Sequence, residues 1–425
     1  MVEGLESRQI IHDILKLIKI NSLNFEDAFI TLTTGKKITL QNTKFIHNTT
    51  LTSIRRYIIV KKIIMDLAPK INEDSDSFIV LLSSITQLLF LKMKEYAVVN
   101  SAVELSKKKN ILTSYKFING CLRSFLRKKE IYSQFNIEFV DLPEWFIEKT
   151  KNLNDLERKI FLKSLTKQPS LHLVFKDKKY KNKYLNYGLA TSKNSLGVDK
   201  KYSIRDIPNI SEGEWWVQDF SAMLPLSEID ISRYKKIADV GSAPGGKLFQ
   251  LLLENTDITS FEKNKRRIVK LNENLKRLDF DLELKPNDFL LIKNEEKFDL
   301  IVIDAPCSSV GTIKRNPEIF FKKRAPDFKY LINAQEKLLR KSSKMLKKNG
   351  TILYMVCSFL EIETTILIKD FLKENNNYSL STFTIKNKEA KKIIINNKYI
   401  NILPSSILAD IEIDGFFAVK LIKNE

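Results

Sequence analysis

Cys307 and Cys357 each stand at the end of a short apolar run, at residues 298–303 and 350–356, within Asp304-Ala-Pro-Cys307-Ser and Val356-Cys357-Ser358. If those runs are neighbouring strands of a doubly wound sheet, both sulfurs lie at carboxyl ends, on the side where such sheets bind ligands. A thiolate there is a strong nucleophile once its pKa is lowered or a base is near, so the chemistry indicated is covalent catalysis. Residue type alone leaves open which sulfur attacks. Cys121, in a helical stretch, reads as a small buried hydrophobe. With three cysteines and no close pair, neither a disulfide framework nor a zinc knuckle is expected. His12, His47 and His172 are scattered, which argues against a histidine metal site or a Ser-His-Asp triad. No metal is expected.

A second chemical signal lies upstream, in Asp239-Val-Gly241-Ser242-Ala243-Pro244-Gly245-Gly246-Lys247. Small residues between a strand and a helix let the backbone approach a ligand and leave helix N–H groups open to it. The spacing fits neither a P-loop nor the G-x-G-x-x-G dinucleotide fingerprint. Glu262 ends the next strand, where a carboxylate takes both hydroxyls of a ribose. Asp288 follows a third strand and is placed for the adenine side of a nucleoside. Two acids at successive strand ends suit a nucleoside cofactor.

The elements that must position these groups follow from the apolar patterning. Strands are expected at 236–240, 257–261, 282–285, 298–303 and 350–356, separated by amphipathic segments such as 266–278 and 333–346. That alternation predicts a parallel sheet covered on both faces, a Rossmann-like fold over 211–425. Runs at 399–403 and 415–421 read as an antiparallel pair at its edge. Residues 1–130 carry helical spacing, as in Ile10, Ile11, Ile14, Leu15 and Ile18, and predict a helical bundle. Between them, 131–210 reads as a basic linker or small α+β element.

Charge points to a partner. The chain carries a formal +20, and residues 151–205 hold half of that excess, with Tyr180, Tyr184 and Tyr187 set among the lysines. A polyanion accounts for such clustering, and tyrosine faces can stack on unpaired bases. Acidic residues near the start and the absence of an apolar run there argue against a signal peptide. The most apolar window, 78–93, is too short to span a bilayer and reads as a buried helix. A cytoplasmic protein without membrane partners is expected, and nothing demands more than a monomer.

The motifs around both cysteines and the glycine turn resemble those of the RNA cytosine-carbon-5 methyltransferases of the RsmB/NOP (Sun) family. The likeness takes in Val217-Gln218-Asp219 with Ser221-Ala222, Lys314-Arg315-Asn316-Pro317-Glu318, Gln335 and Asp414-Gly415-Phe416-Phe417. Residues 96–105 and 117–123 resemble a NusB-like RNA-binding bundle, the pairing found in the RsmB branch. Gly241-Ser242 stands where Cys-Ala is common, Val356 where Thr is frequent, and 171–175 matches the family's Arg- and Asn-bearing strand only loosely. The resemblance implies an all-α NusB-like bundle before an α/β methyltransferase domain, S-adenosylmethionine as cofactor and 16S rRNA as substrate. It assigns attack to Cys357 and product release to Cys307. It places the cofactor on residues 241–247, Glu262, Asp288 and Asp304, with Lys247 and Asp304 beside the target base or the methionine end of the cofactor. The same reaction on tRNA or large-subunit rRNA is the alternative, and a non-catalytic ribosome-assembly factor a more distant one.

Overall fold

The computed structural model describes the chain except residues 1–3, 109, 255–256, 283, 285–286, 294–296, 395, 409 and 425. It divides into two compact units, the first formed by 1–167 with 313–326, the second by 168–312 with 327–425. The helices of the expected middle segment up to residue 167 thus fall in the first unit, and its strands fall in the second.

The first unit is helical. Its central helix, Asp76–Leu89, starts where the Ser75 side chain accepts from Phe78 N, and it buries 12 of its 14 residues. A helix apolar on nearly every side has to be wrapped by others. It ends at Leu89, so the last four residues of the 78–93 window, Phe90-Leu91-Lys92-Met93, lie beyond it. Leu5–Asn21 contributes Ile10, Ile11, Ile14, Leu15 and Ile18 to the core, each 2% exposed or less. Cys121 is buried on the helix Tyr115–Arg127, as its apolar setting predicts. The segment 313–326 packs into this unit although it lies far along the chain. Glu318 Oε1 accepts from Phe25 N at 3.4 Å, Arg55 Nη2 donates to Lys314 O at 3.2 Å, and the Phe321 ring meets Tyr57 at 5.0 Å. Among the described residues, no helix is long and apolar enough to cross a membrane.

The second unit opens with four antiparallel strands, β1 (Leu171–Phe175), β2 (Gly188–Ser192), β3 (Ser195–Val198) and β4 (Trp215–Val217), in the order β2-β3-β1-β4. Leu173, Phe175, Tyr184, Leu196, Val198, Ile207 and Trp215 form their core. Tyr184 is therefore a core residue, 1% exposed, with its hydroxyl donated to Glu214 Oε2 at 2.8 Å. It cannot offer a face to a base. Its ring packs inward because the buried Glu214 satisfies its hydroxyl.

The main sheet follows: β5 (Ile237–Val240), β6 (Ile258–Phe261), β7 (Phe298–Asp304), β8 (Leu346–Val356), β9 (Tyr378–Ser381) and β10 (Tyr399–Ile402). A small pair, β11 (Ile407–Leu408) and β12 (Ile411–Glu412), leads into β13 (Phe416–Lys423). The order is β10-β13-β8-β7-β5-β6, with β9 also against β13. Strands β6, β5, β7 and β8 run parallel, and β13 runs antiparallel to β8, β9 and β10. Along β8, Leu353 and Met355 enter one core while Ile352, Tyr354 and Val356 enter the other. Burial on both faces is why these strands read as unbroken apolar runs. The expected strand at 282–285 falls partly outside the described residues.

Candidate active site

Strands β7 and β8 are hydrogen-bonded neighbours, with Asp304 opposite Met355 at their carboxyl ends. The loops leaving them are stitched together: Ala305 N donates to Met355 O at 3.1 Å and Gly311 N to Cys357 O at 3.1 Å. A Cβ on Gly311 would lie 2.2 Å from Gly415 O and 2.9 Å from Cys357 O, so only glycine permits this approach. The result brings Cys307 Sγ within 3.3 Å of Cys357 Sγ, both half-buried. Ser309 Oγ is 3.4 Å from the Cys357 sulfur.

The two thiols differ in acidity. Cys357 is held below the ordinary thiol value chiefly by its hydrogen bond with Cys307, helped by Ser309 and Lys247 and opposed by burial and Asp304. Cys307 is pushed well above it by the same hydrogen bond, by burial and by the charges of Cys357 and Glu363. One sulfur is thereby favoured as thiolate and the other as its proton-bearing partner.

The glycine turn lies at the end of the adjacent β5. Gly241 (φ 85°) and Gly245 (φ 119°) adopt left-handed backbone there, and a Cβ on Gly241 would sit 2.6 Å from Asp304 O. Ser242 Oγ donates to Asp239 O at 2.9 Å and accepts from Ser260 Oγ at 2.7 Å, tying the turn to β6. Asn274 Nδ2 donates to Pro244 O at 3.1 Å, and Arg267 Nη2 donates to Ala243 O. Lys247, one residue into the helix Gly246–Leu252, places Nζ 2.7 Å from Asp304 Oδ2 and 5.3 Å above the Phe416 ring. The structure thus joins Lys247, Asp304 and the two cysteines at one sheet edge.

Glu262 is 6% exposed, holds Asn264 N through Oε1 at 2.9 Å, and leaves Oε2 buried without a hydrogen bond, 3.1 Å from Arg267 Nη1. Both carboxyl oxygens of the fully buried Asp239 also lack a hydrogen-bond partner. That carboxyl is pushed up to about 7, first by burial and then by Asp304 and Glu262. Buried carboxyl oxygens without a hydrogen bond, Glu262 Oε2 held only by the Arg267 charge, are groups that a hydroxyl- and amine-bearing nucleoside cofactor can bond to. Asn287 N donates to Glu262 O at 3.2 Å, bringing the next loop alongside, and there Asp288 Oδ1 accepts from Leu290 N at 3.0 Å.

Several groups here escaped the sequence. Arg267 is one basic residue among many on its helix, and nothing singles it out until Ala243 and Glu262 are beside it. Glu363 has Glu361 two residues before it and nothing to set it apart, yet it is wholly buried beneath both cysteine loops. Gly311 carried a weak signal as one of 12 glycines in the chain.

A sheet of this order, with a small-residue turn after its first parallel strand and acids at the strand ends, defines a Rossmann-like methyltransferase. A methyltransferase homolog protein from Pyrococcus horikoshii has the same fold, with a TM-score of 0.54 at 23% identity over 66% of this chain and 95% of that one. Residues 228–422 match the family model for the 16S rRNA methyltransferase RsmB/F, and 5–127 match the NusB family. The ribosomal RNA small subunit methyltransferase B of Enterobacter sp. (strain 638) is 28% identical over 72% of this chain and 73% of that protein. The probable ribosomal RNA small subunit methyltransferase B of Coxiella burnetii is 26% identical over 77% and 82%. Residues 228–422 thus carry the match to the RsmB/F rRNA methyltransferase family, and a NusB-family region precedes them in the chain.

Proposed function

We propose that this protein transfers a methyl group from S-adenosylmethionine to carbon 5 of a specific cytosine in 16S rRNA, through a covalent bond between Cys357 and carbon 6. The observation that carries this is the pair of thiols 3.3 Å apart, opposite in acidity, at the edge that also holds Lys247 and Asp304.

The chemistry explains the need for both. Carbon 5 of cytosine is too poor a nucleophile to be methylated directly. Addition of the Cys357 thiolate to carbon 6 moves the electron pair of the 5,6 double bond onto carbon 5. The cofactor supplies an electrophilic methyl, which carbon 5 takes from its sulfonium. Loss of the carbon-5 proton to a base then restores the double bond and expels the Cys357 thiolate. Cys307, whose thiol hydrogen-bonds that sulfur, stabilises the departing thiolate. Asp304 holds the amino edge of the cytosine, with Lys247 neutralising and orienting it. The target base must be unpaired or flipped out to reach the sulfur.

The turn 241–247 holds the methionine part of the cofactor, Glu262 the ribose and Asp288 the adenine side. Glu262→Ala should weaken S-adenosylmethionine binding roughly 10- to 100-fold in calorimetry, since charge-assisted hydrogen bonds contribute about 1.5–3 kcal/mol. A dissociation constant within twofold of wild type removes Glu262 from the ribose. The whole reading is tested by labelled methyl transfer to protein-free 16S rRNA, tRNA and assembled small subunits, with bisulfite sequencing of the product. One protected cytosine in 16S rRNA is expected. Labelling of tRNA alone would discard the substrate, and labelling of no RNA would discard the reaction.

A further inference from the structure

Glu363 is 0% exposed, and donors from three segments converge on its carboxylate. Oε1 accepts from Ser308 N at 2.8 Å and Gln335 Nε2 at 3.2 Å, while Oε2 accepts from Ser308 Oγ at 2.5 Å and Ser358 Oγ at 2.6 Å. Ser308 follows Cys307 directly and Ser358 follows Cys357 directly. Gln335 Nε2 also donates to Pro306 O at 2.9 Å, one residue before Cys307. From below, Tyr354 OH donates to Glu363 O at 3.0 Å and fixes the residue against β8. A buried carboxylate with four donors is anchored, and it anchors them in return.

We infer that Glu363 is the positioning residue that clamps the two cysteine loops to each other and sets the division of labour between the sulfurs. This rests on the reading that Cys357 attacks. The clamp works through geometry: one carboxylate bonds to the residue after each cysteine, so neither loop can shift without losing a buried hydrogen bond. It also works through charge. Glu363 raises the Cys307 thiol and only the Ser309 backbone opposes it, whereas Lys247, Asp304 and the Ser309 hydroxyl act on Cys357. The anion under Cys307 opposes a second thiolate there, which keeps Cys307 protonated beside an ionised Cys357.

The test begins with wild-type enzyme and 5-fluorocytosine-substituted 16S rRNA, which arrests the reaction at the adduct because fluorine at carbon 5 cannot leave as a cation. Mass spectrometry then locates the bond. No adduct at Cys357 in wild type is a failure of the underlying reading, not of the clamp. With the adduct in hand, Glu363→Gln should lower kcat at least about tenfold, with KM for RNA and cofactor within about threefold. In the same variant the pH midpoint for iodoacetamide alkylation of Cys307, read site by site, should fall by about one unit. Glu363→Asp keeps the charge and should keep the wild-type midpoint. Wild-type kcat and an unmoved midpoint in Glu363→Gln would overturn the inference. If that variant loses cofactor binding, Ser308→Ala/Ser358→Ala takes its place, since it deletes both hydroxyl donors and spares the charge. Wild-type kcat in the double variant would equally overturn it.

Discussion

Cys357→Ala is expected to leave no covalent RNA–protein species and to cut methyl transfer by roughly 10⁴-fold or more, as removal of a covalent nucleophile does elsewhere. Cys357 is the sulfur whose acidity is raised, and Cys307, Ser309 and Lys247 all favour its thiolate. An alanine leaves nothing that can add to carbon 6, so carbon 5 is never activated. Folding should survive, because the side chain is half-buried and alanine leaves the backbone bond from Gly311 N to Cys357 O in place. Retention of cofactor binding in the variant is the control. An adduct formed by Cys357→Ala would move the attack to Cys307.

Cys307→Ala is expected to do the reverse to the adduct, accumulating an RNA-linked protein that survives denaturing electrophoresis while turnover falls by roughly 100-fold. The 3.3 Å contact places Cys307 to stabilise a Cys357 thiolate, whose expulsion is the last step of the proposed reaction. Without the contact the leaving thiol is less acidic and departs more slowly. Attack should slow too, since the same contact favours the attacking form, but a bond once made then persists. Denatured variant running at its free mobility, with turnover lost, would assign Cys307 to attack or to structure instead of release.

Much of this site was legible because its signals are local. A glycine turn after a strand, acids at strand ends and cysteines after apolar runs are short patterns, and each constrains only its own neighbourhood. The strands came out close to expectation for the same reason: β5, β6 and β7 begin and end within one residue of the apolar runs. Strand β8 starts earlier, at Leu346, because Leu346 pairs with Phe298 of β7, and the register then shifts across the polar residues 347–350 before Thr351 pairs with Leu300. Tyr184 was misread as a surface aromatic, since only packing reveals the glutamate that meets its hydroxyl.

What the sequence by itself determined is the local pattern: a small-residue turn after a strand, acids after the strands that follow, and two cysteines at strand ends, in a chain with a basic excess. Those follow from residue type and near-neighbour spacing. What only the tertiary structure decided is how those groups act on one another. Cys307 and Cys357 lie 50 residues apart, and their contact depends on β7 pairing with β8 and on Gly311 admitting the loop. Glu363 gains its meaning only when Ser308, Gln335 and Ser358 close over it. The segment 313–326, read as part of the catalytic fold, packs instead with the helices of the first unit. Hydrogen bonds and charge act over a few ångströms of space, and separation along the chain does not report that distance.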